Sequence, residues 1–356
     1  MVRIGKFRDK EFIDREQEIK YLKQRFEKTP DEILWLYGPK STGKTTLIEY
    51  VIEKELTNSL KLFDKYWIKY INFRGLMVGS YDSFVNSFFE EAEDEDDFSS
   101  EIVSGFNIGV IKLEAKILEK IKSNKKNLFN LLIEKLKTIK KRKIIVIDEI
   151  QTLQDIYYNG EKELLKEFLN FCVRLTKELH LAHVVILSSN TVFIEQIYND
   201  AKLKVTSRFK KIDHLDFEVV NEWLLSKDLG FSSDDIKLIW DYLGGCIPLI
   251  QRMINEKYQY NSLKEYLDSE VELAISEIKH IFIMEMEHND IELFKKIAKK
   301  IVENSFYKLD EKDSKEVIKI INFMSENEIL FYDPLSQIIR GNNRLYEKAF
   351  EKILKK

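Results

Sequence analysis

Residues 33–51 read ILWLYGPKSTGKTTLIEYV. An unbroken apolar run stops at a glycine, an eight-residue loop follows (Gly38 to Thr45), and a helical pattern begins at the loop's end. A strand that is apolar at every position is buried on both faces, as in parallel sheets covered by helices. A loop G-x-x-x-x-G-K-[ST] between such a strand and a helix has one well-understood use. Gly38 lets the chain turn sharply off the strand, and Gly43 keeps side chains away from a ligand. The loop's backbone N–H groups then face a phosphate at a helix N-terminus. Lys44 reaches the β and γ oxygens, and the Thr45 hydroxyl ligates Mg²⁺. Pro39, Lys40, Ser41, Thr42 and Thr46 complete the expected phosphate contacts. An ordinary strand-to-helix turn is the alternative.

A second apolar run, KIIVIDEIQTL (Lys143 to Leu153), ends in two acids. An acid at the tip of a neighbouring strand holds the Mg²⁺ water shell in loops of this type. Asp148 has that position, and Glu149 after it is placed to polarise an attacking water. Solvated acids at a strand end are the alternative. AHVVILSSN (Ala182 to Asn190) is a further buried strand. At its tip Ser189 and Asn190 are both candidates for sensing a γ-phosphate, and a helix N-cap is an equal reading. Arg208, in TSRFKKIDHLDF, is either a cationic finger offered to a neighbouring subunit or a surface arginine paired with local acids. GGCIPLIQR (Gly244 to Arg252) is either a lid loop, with Pro248 near an adenine and Arg252 toward phosphate, or a plain helix–helix turn. Phe12, Ile13 and Tyr21 either frame a base or pack a helix on the sheet.

Strands and helices alternate from about residue 30 to 215, which means βαβ units and a parallel sheet. The spacing of Ile19, Leu22 and Phe26 predicts a helix, with Asp14 as N-cap and Gln17 completing a capping box. YWIKYINFR (Tyr66 to Arg74) reads as a strand, YDSFVNSFFEEA and EKELLKEFLNFCVRLTKEL as helices, and SGFNIGVIKL as a hairpin. The run Glu90 to Asp97 reads as a solvated helix end or loop. NLFNLLIEKLKTIKKRK reads as an amphipathic helix with a basic end. From Glu218 helices dominate, and the last segment reads helix, helix, two short strands (ILFYDP and QIIRGN) and a closing helix. The expected division is a core over 1–216, a helical lid over 217–284 and a winged-helix-like module over 285–356.

Net charge is −4, so any attraction for nucleic acid must be local. DEKDSKEVIKIINFMSENEIL, where a recognition helix would fall, mixes acids with lysines, which favours packing or protein binding over DNA. Arg340 and Arg344 are the cations of that module placed to touch phosphate. Two cysteines, Cys172 and Cys246, read as reduced thiols in a cytoplasmic protein. The five histidines show no ligand spacing, which argues against a metalloenzyme. No leader is evident, and no apolar run approaches the roughly 20 residues that cross a bilayer.

FIDREQEIKYL, LYGPKSTGKTTL, IIVIDEIQ, ILSSN, SRF and GGCIPL stand in an order that resembles the archaeal ATPase family, a branch of P-loop ATPases close to AAA+ and to signal-transducing STAND proteins. The resemblance covers nearly the whole chain. It implies an α/β P-loop core, a helical lid and a C-terminal winged helix. It also implies Lys44 and Thr45 on phosphate and Mg²⁺, Asp148 and Glu149 as the metal and water acids, Arg208 as the family arginine and Pro248 as the lid proline. The expected function is ATP binding and Mg²⁺-dependent hydrolysis that resets a conformational switch. The alternative is an ATP-stabilised DNA-binding module of origin-recognition type with negligible hydrolysis. Expected partners are ATP and ADP, with DNA or a protein on the winged helix, no membrane, and an oligomer if Arg208 acts on a neighbour.

Overall fold

The computed structural model describes residues 4–8, 10–56, 65–73, 80–92, 100–103, 106–109, 111–114, 118–119, 121–122, 128–154, 156–158, 162–227 and 229–355. An antiparallel ribbon of β1 (Ile4–Phe7) and β2 (Lys10–Ile13) precedes the helix Glu16–Glu27. β3 (Ile33–Tyr37) runs through the glycine loop into the helix Lys44–Tyr50, which continues as a π-helical turn over Val51–Leu56. After β4 (Tyr66–Asn72) come the short helix Tyr81–Asn86 and four short strands: β5 (Phe89–Ala92), β6 (Ser100–Val103), β7 (Phe106–Gly109) and β8 (Ile111–Glu114). The helix Leu128–Thr138 leads into β9 (Arg142–Asp148). The two-residue strands β10 (Tyr157–Tyr158) and β11 (Lys162–Glu163) pair ahead of the helix Leu164–Val173. β12 (Ala182–Ser188), the helices Thr191–Asn199 and Ala201–Val205, and β13 (Ser207–Lys211) complete this half.

β13, β3, β12, β9 and β4 form, in that order, a five-stranded parallel sheet. Alternate residues explain the continuous apolar runs. Leu34, Leu36, Ile144, Val146, Val185 and Leu187 face one apolar layer with Leu22, Ile48 and Val51. Ile33, Trp35, Ile145, Ile147, Val184 and Ile186 face the other, with Leu132, Phe168 and Phe193. Both faces are covered by helices, as the runs require.

Several local expectations need correction. Asp14 does not cap the first helix: Asp14 and Arg15 both have left-handed backbone (φ 58° and 72°), the helix starts at Glu16, and no side chain caps it. That turn directs the Arg15 side chain inward, where it is buried. The helix from Tyr81 ends at Asn86, because Phe88 and Phe89 enter the apolar layer and β5 pairs in parallel with β8. The acidic run therefore begins within β5, and its residues 93–97 lie outside the described residues. In the expected hairpin, β7 pairs antiparallel with the preceding β6 and β8 pairs elsewhere; Ser104, Gly105 and Val110 lie outside the described residues. The helix expected from Glu161 starts at Leu164 and turns π-helical over Arg174–Glu178, where Thr176 donates to the Cys172 carbonyl at 3.0 Å.

Beyond β13 the helices Phe217–Ser226, Ser233–Leu243, Ile247–Glu256 and Leu263–Glu285 follow. The helices His288–Asn304 and Lys315–Glu326 flank β14 (Tyr307–Lys308), and β15 (Leu330–Asp333) forms a hairpin with β16 (Ile338–Gly341) before the closing helix Arg344–Ile353. Strand order is β14-β16-β15, all antiparallel. Trp223, Ile239, Leu267, Ile278, Phe294, Ile321 and Phe350 belong to one apolar core, so residues on both sides of position 284 are packed together. No helix among the described residues is long and apolar enough to cross a membrane.

The terminal hairpin rests against the sheet half. Tyr37 Oη donates to Asp333 at 3.0 Å, Tyr332 Oη to Glu195 at 2.9 Å, and Lys211 pairs with Asp333 at 3.3 Å.

Candidate nucleotide-binding site

The sheet register collects the ends of four strands. Tyr37 is level with Ser188, and Asp148 is level with both Leu187 and Asn72. The glycine loop leaves β3 at this end. Gly38 has φ 149°, and a Cβ there would stand 2.0 Å from the Ile212 carbonyl oxygen, so the close approach of the 212 segment requires glycine. Gly43 has φ 83°, and a Cβ there would meet nothing within 4 Å. Glycine at this position therefore answers to the backbone turn and keeps the inner wall of the loop clear of side chains.

Lys44 is buried, and its ammonium donates to the carbonyls of Gly38 (3.0 Å) and Pro39 (2.8 Å). Burial pushes its pKa down to about 8, opposed by the charges of Asp148 and Glu149. Thr45 Oγ1 donates to Asp148 Oδ2 at 2.9 Å, which brings the two expected Mg²⁺ residues together from the helix after the loop and the end of β9. Tyr70 Oη donates to the same carboxylate oxygen at 3.2 Å. Its phenol is pushed above its ordinary pKa by burial and then by the Asp148 charge, so it remains a donor. An all-oxygen pair on two rigid elements suits a hard cation that takes its other ligands from phosphate and water.

Glu149 follows Asp148 in left-handed backbone, φ 60°, an uncommon conformation for a residue with a side chain. Its carboxylate accepts from Gln151 Nε2 at 2.5 Å. Asn190 is the N-cap of the helix Thr191–Asn199: its Oδ1 accepts from Phe193 N at 2.9 Å, and its own N–H donates to Ser188 Oγ at 3.1 Å. Ser189 is half-buried beside it at the same strand end.

A cavity of about 350 Å³ adjoins the loop, lined by Phe12, Ile13, Arg15, Gly43, Thr46 and Pro248 among others. Ser41 and Thr42 also line it. Pro248 and the N-terminal pair Phe12 and Ile13 thus meet at one hollow beside the glycine loop. The adjacent glycines have separate duties: Gly244 ends the helix Ser233–Leu243 with φ 57°, and a Cβ on Gly245 would stand 1.9 Å from the Leu215 carbonyl oxygen.

Other expected residues lie elsewhere. Arg208 on edge strand β13 is level with Leu34, three residues before the loop end of β3, or about 10 Å away. Its guanidinium is 63% exposed and pairs with Glu32 at 3.0 Å. Arg252 pairs with Glu270 at 3.4 Å, and the Tyr21 ring lies 5.6 Å from the Lys210 ammonium. Lys40 turns away from the loop and pairs with Glu328 of the terminal module at 2.5 Å.

Two residues escape notice in the sequence. Arg15 Nη2 donates to the carbonyls of Thr42 (2.9 Å) and Asp213 (2.6 Å). Asp213 in turn holds Arg340 through its carboxylate and has Lys211 at 3.4 Å. Burial alone would raise the Asp213 carboxyl, but the charge and hydrogen bond of Arg340, with Lys211, hold it below the ordinary range. Next to it, His214 Nε2 donates to the Asn342 carbonyl at 2.9 Å, and burial keeps this imidazole down at about 4. Arg344 pairs with Glu347 at 2.8 Å and with Asp241 at 3.4 Å. In the sequence only the tight D-R-E cluster at 14–16 hints at Arg15, and nothing marks Asp213.

A five-stranded parallel sheet with a glycine loop after β3, Lys44 and Thr45 on the following helix and Asp148 on a neighbouring strand defines a P-loop nucleotide-binding fold. Residues 12–253 match the model of an ATPase domain found predominantly in Archaea, and the chain belongs to that family. An uncharacterized ATP-binding protein of Methanocaldococcus jannaschii is 35% identical over 97% of this chain and 99% of its own. Another from the same organism is 33% identical over 96% and 97%. Among solved structures, the Walker-type ATPase of Pyrococcus abyssi superposes with a TM-score of 0.58 at 12% identity, covering 95% of each chain. The Aeropyrum pernix ORC2 protein superposes at 0.50 with 12% identity, covering 96% of this chain and 94% of its own. At these identities the two superpositions speak to the fold alone.

Proposed function

We propose that this protein is a Mg²⁺-dependent ATPase in which the bound nucleotide sets how firmly the lid and the terminal winged-helix-like module hold the core. Lys44 and the loop N–H groups bind the phosphates, and the base enters the cavity between Phe12, Ile13 and Pro248. Thr45 and Asp148 hold Mg²⁺, which neutralises phosphate charge when bound. Tyr70 fixes the orientation of the Asp148 carboxylate. Glu149 orients and polarises the attacking water, with Gln151 steering its carboxylate. The Asn190 carbonyl oxygen is spent on the helix cap, so its amide nitrogen is the atom left to donate to a γ-phosphate. Arg208, exposed on an edge strand, serves a neighbouring subunit's nucleotide.

The observation that carries the switch is the 2.5 Å ion pair between Lys40, inside the phosphate loop, and Glu328 of the terminal module. A triphosphate brings negative charge beside Lys40 and competes with Glu328 for it. The pairing of Arg340 with Asp213 favours a module held on the core, and Arg344, engaged by Asp241 of the helical segment and Glu347 of its own helix, is less free to grip DNA.

The test is hydrogen exchange over residues 326–345 with ADP and with a non-hydrolysable ATP analogue, alongside steady-state turnover. The two nucleotides should protect this segment differently, and Glu328→Gln should reduce the difference. Identical protection would remove the switch, and absent Mg²⁺-dependent turnover at every protein concentration would remove the ATPase.

A further inference from the structure

The end of the sheet away from the phosphate loop has a hollow of its own. A cavity of about 290 Å³ is lined there by Lys28, Lys140, Arg142, Lys143, His180 and His183, among others. The fold brings them together from three places. Lys140 to Lys143 lead into β9, the two histidines flank the start of β12, and Ala182 is level with Lys143 in the sheet. Lys28 follows the last turn of the helix Glu16–Glu27.

Half of this group is spent on the fold. Arg142 Nη1 donates to the carbonyls of Phe26 (3.2 Å) and Glu27 (2.5 Å), capping the first helix. His183 Nε2 donates to the Lys28 carbonyl at 3.1 Å, and His180 Nδ1 to the Pro30 carbonyl at 2.6 Å. A carbonyl only accepts, so each of these ring nitrogens carries the proton.

The lysine ammoniums differ. Lys143 is only 8% exposed, and no hydrogen bond or ion pair engages its ammonium among the described residues. Lys28 and Lys140 stand exposed at the rim, also without an ion pair among the described residues. Two acids of the following loop are already paired: Asp31 with Arg25 at 3.5 Å, and Glu32 with Arg25 at 3.1 Å and Arg208 at 3.0 Å. A buried cation without a partner is costly unless an anion supplies one. Three amines converging on one hollow match an oxyanion with several acceptor atoms.

We propose that this hollow is a second anion site, separate from the nucleotide loop, that binds phosphate groups through Lys28, Lys140 and Lys143. Its position at the opposite end of the strands keeps it clear of a nucleotide held at the loop. The phosphate can come from a single-stranded nucleic-acid backbone or from a free polyphosphate.

The experiment keeps ADP saturating, so the loop is filled. Binding of a labelled single-stranded oligonucleotide of about 20 nucleotides is followed by anisotropy across a salt series, and tripolyphosphate by calorimetry. Wild type, Lys28→Gln/Lys140→Gln and Lys143→Met are compared, with ADP affinity as the check on folding. If the oligonucleotide binds, each variant should weaken it about tenfold or more and lower the log–log salt slope by about 0.7 per lost phosphate contact. If only tripolyphosphate binds, as an equivalent beyond ADP that both variants lose, the site stands and its source is a free phosphate. The proposal fails if neither anion binds, or if the surface double variant binds both as wild type does.

Discussion

Arg15 donates to the backbone carbonyl of Thr42 at 2.9 Å from a buried position, fastening the N-terminal segment to the inside of the phosphate loop. The same nitrogen reaches the Asp213 carbonyl at 2.6 Å, so one guanidinium ties together the loop, the cavity beside it and the passage into the helical second half. Removing it strands two carbonyls, each costing about 1–3 kcal/mol when left unsatisfied. Arg15→Ala should lose about 2–4 kcal/mol of stability in denaturant titration and weaken ADP binding more than an exposed Arg→Ala change. Equal ADP affinity in Arg15→Ala and wild type would make the arginine purely structural.

Lys44 gives two opposite pH effects. In the nucleotide-free protein its pKa is about 8, and phosphate prefers the charged form. ADP affinity should therefore fall as pH rises above about 8, by up to tenfold per unit, because binding must take up a proton. The nucleotide-free protein should gain stability over the same range. There the unfolded chain still holds a lysine proton that the folded one has lost, and stability rises with pH wherever that is so. Lys44→Met should flatten both profiles. A pH-independent ADP affinity between pH 7 and 9.5 contradicts the assignment.

If Glu149 and Thr45 act as proposed, variants at the two separate binding from turnover. Glu149→Gln should keep ATP affinity within a few-fold and lose at least about 100-fold in turnover, the scale of a lost general base. Thr45→Ala should reduce the Mg²⁺ dependence of binding. Gln151→Ala should lower kcat with little change in KM, since the Gln151 side-chain amide donates to the Glu149 carboxylate. Normal turnover in Glu149→Gln would take that residue out of the mechanism.

The histidines beneath the sheet and at the module junction set an acid limit. Burial pushes both His183 and His214 down to about 4. Between the ordinary histidine range and that value the unfolded chain takes up protons that the folded one refuses, so stability drops as pH falls. The slope is at most about 1.4 kcal/mol per pH unit for each group. His214→Gln should halve this slope in denaturant titrations at pH 6.5 to 4.5. An unchanged slope would mean that His214 is already protonated in the folded protein.

The glycine loop, the strand ending in Asp148 and Glu149, and the alternating βα order were legible because each is a local pattern: apolar strand, turn residues, helix, or strand ending in acids. Pro248 also belonged to a readable pattern, though only the folded chain puts it in one hollow with Phe12 and Thr46. Arg15 was not legible, because its partners are backbone carbonyls, which every residue type supplies. The first helix began later than its cap residues suggested for the same reason: the left-handed turn at Asp14 and Arg15 is maintained by that distant contact. Nor could spacing reveal that Tyr37 meets Asp333, 296 positions away. The acids and tyrosines of such a junction look like ordinary surface residues until the module lands on them.

The single apolar core shared by residues on both sides of position 284 has a mechanical consequence. Pro248 belongs to that body, and so does the hairpin that carries Asp333. The chain passes from the sheet half through the 212–216 segment, where Gly245 leaves no room for a side chain against Leu215. Under the proposed switch, a tilt begun at the hollow by Pro248 reaches the far hairpin through this shared core and strains its contacts with Tyr37, Glu195 and Lys211.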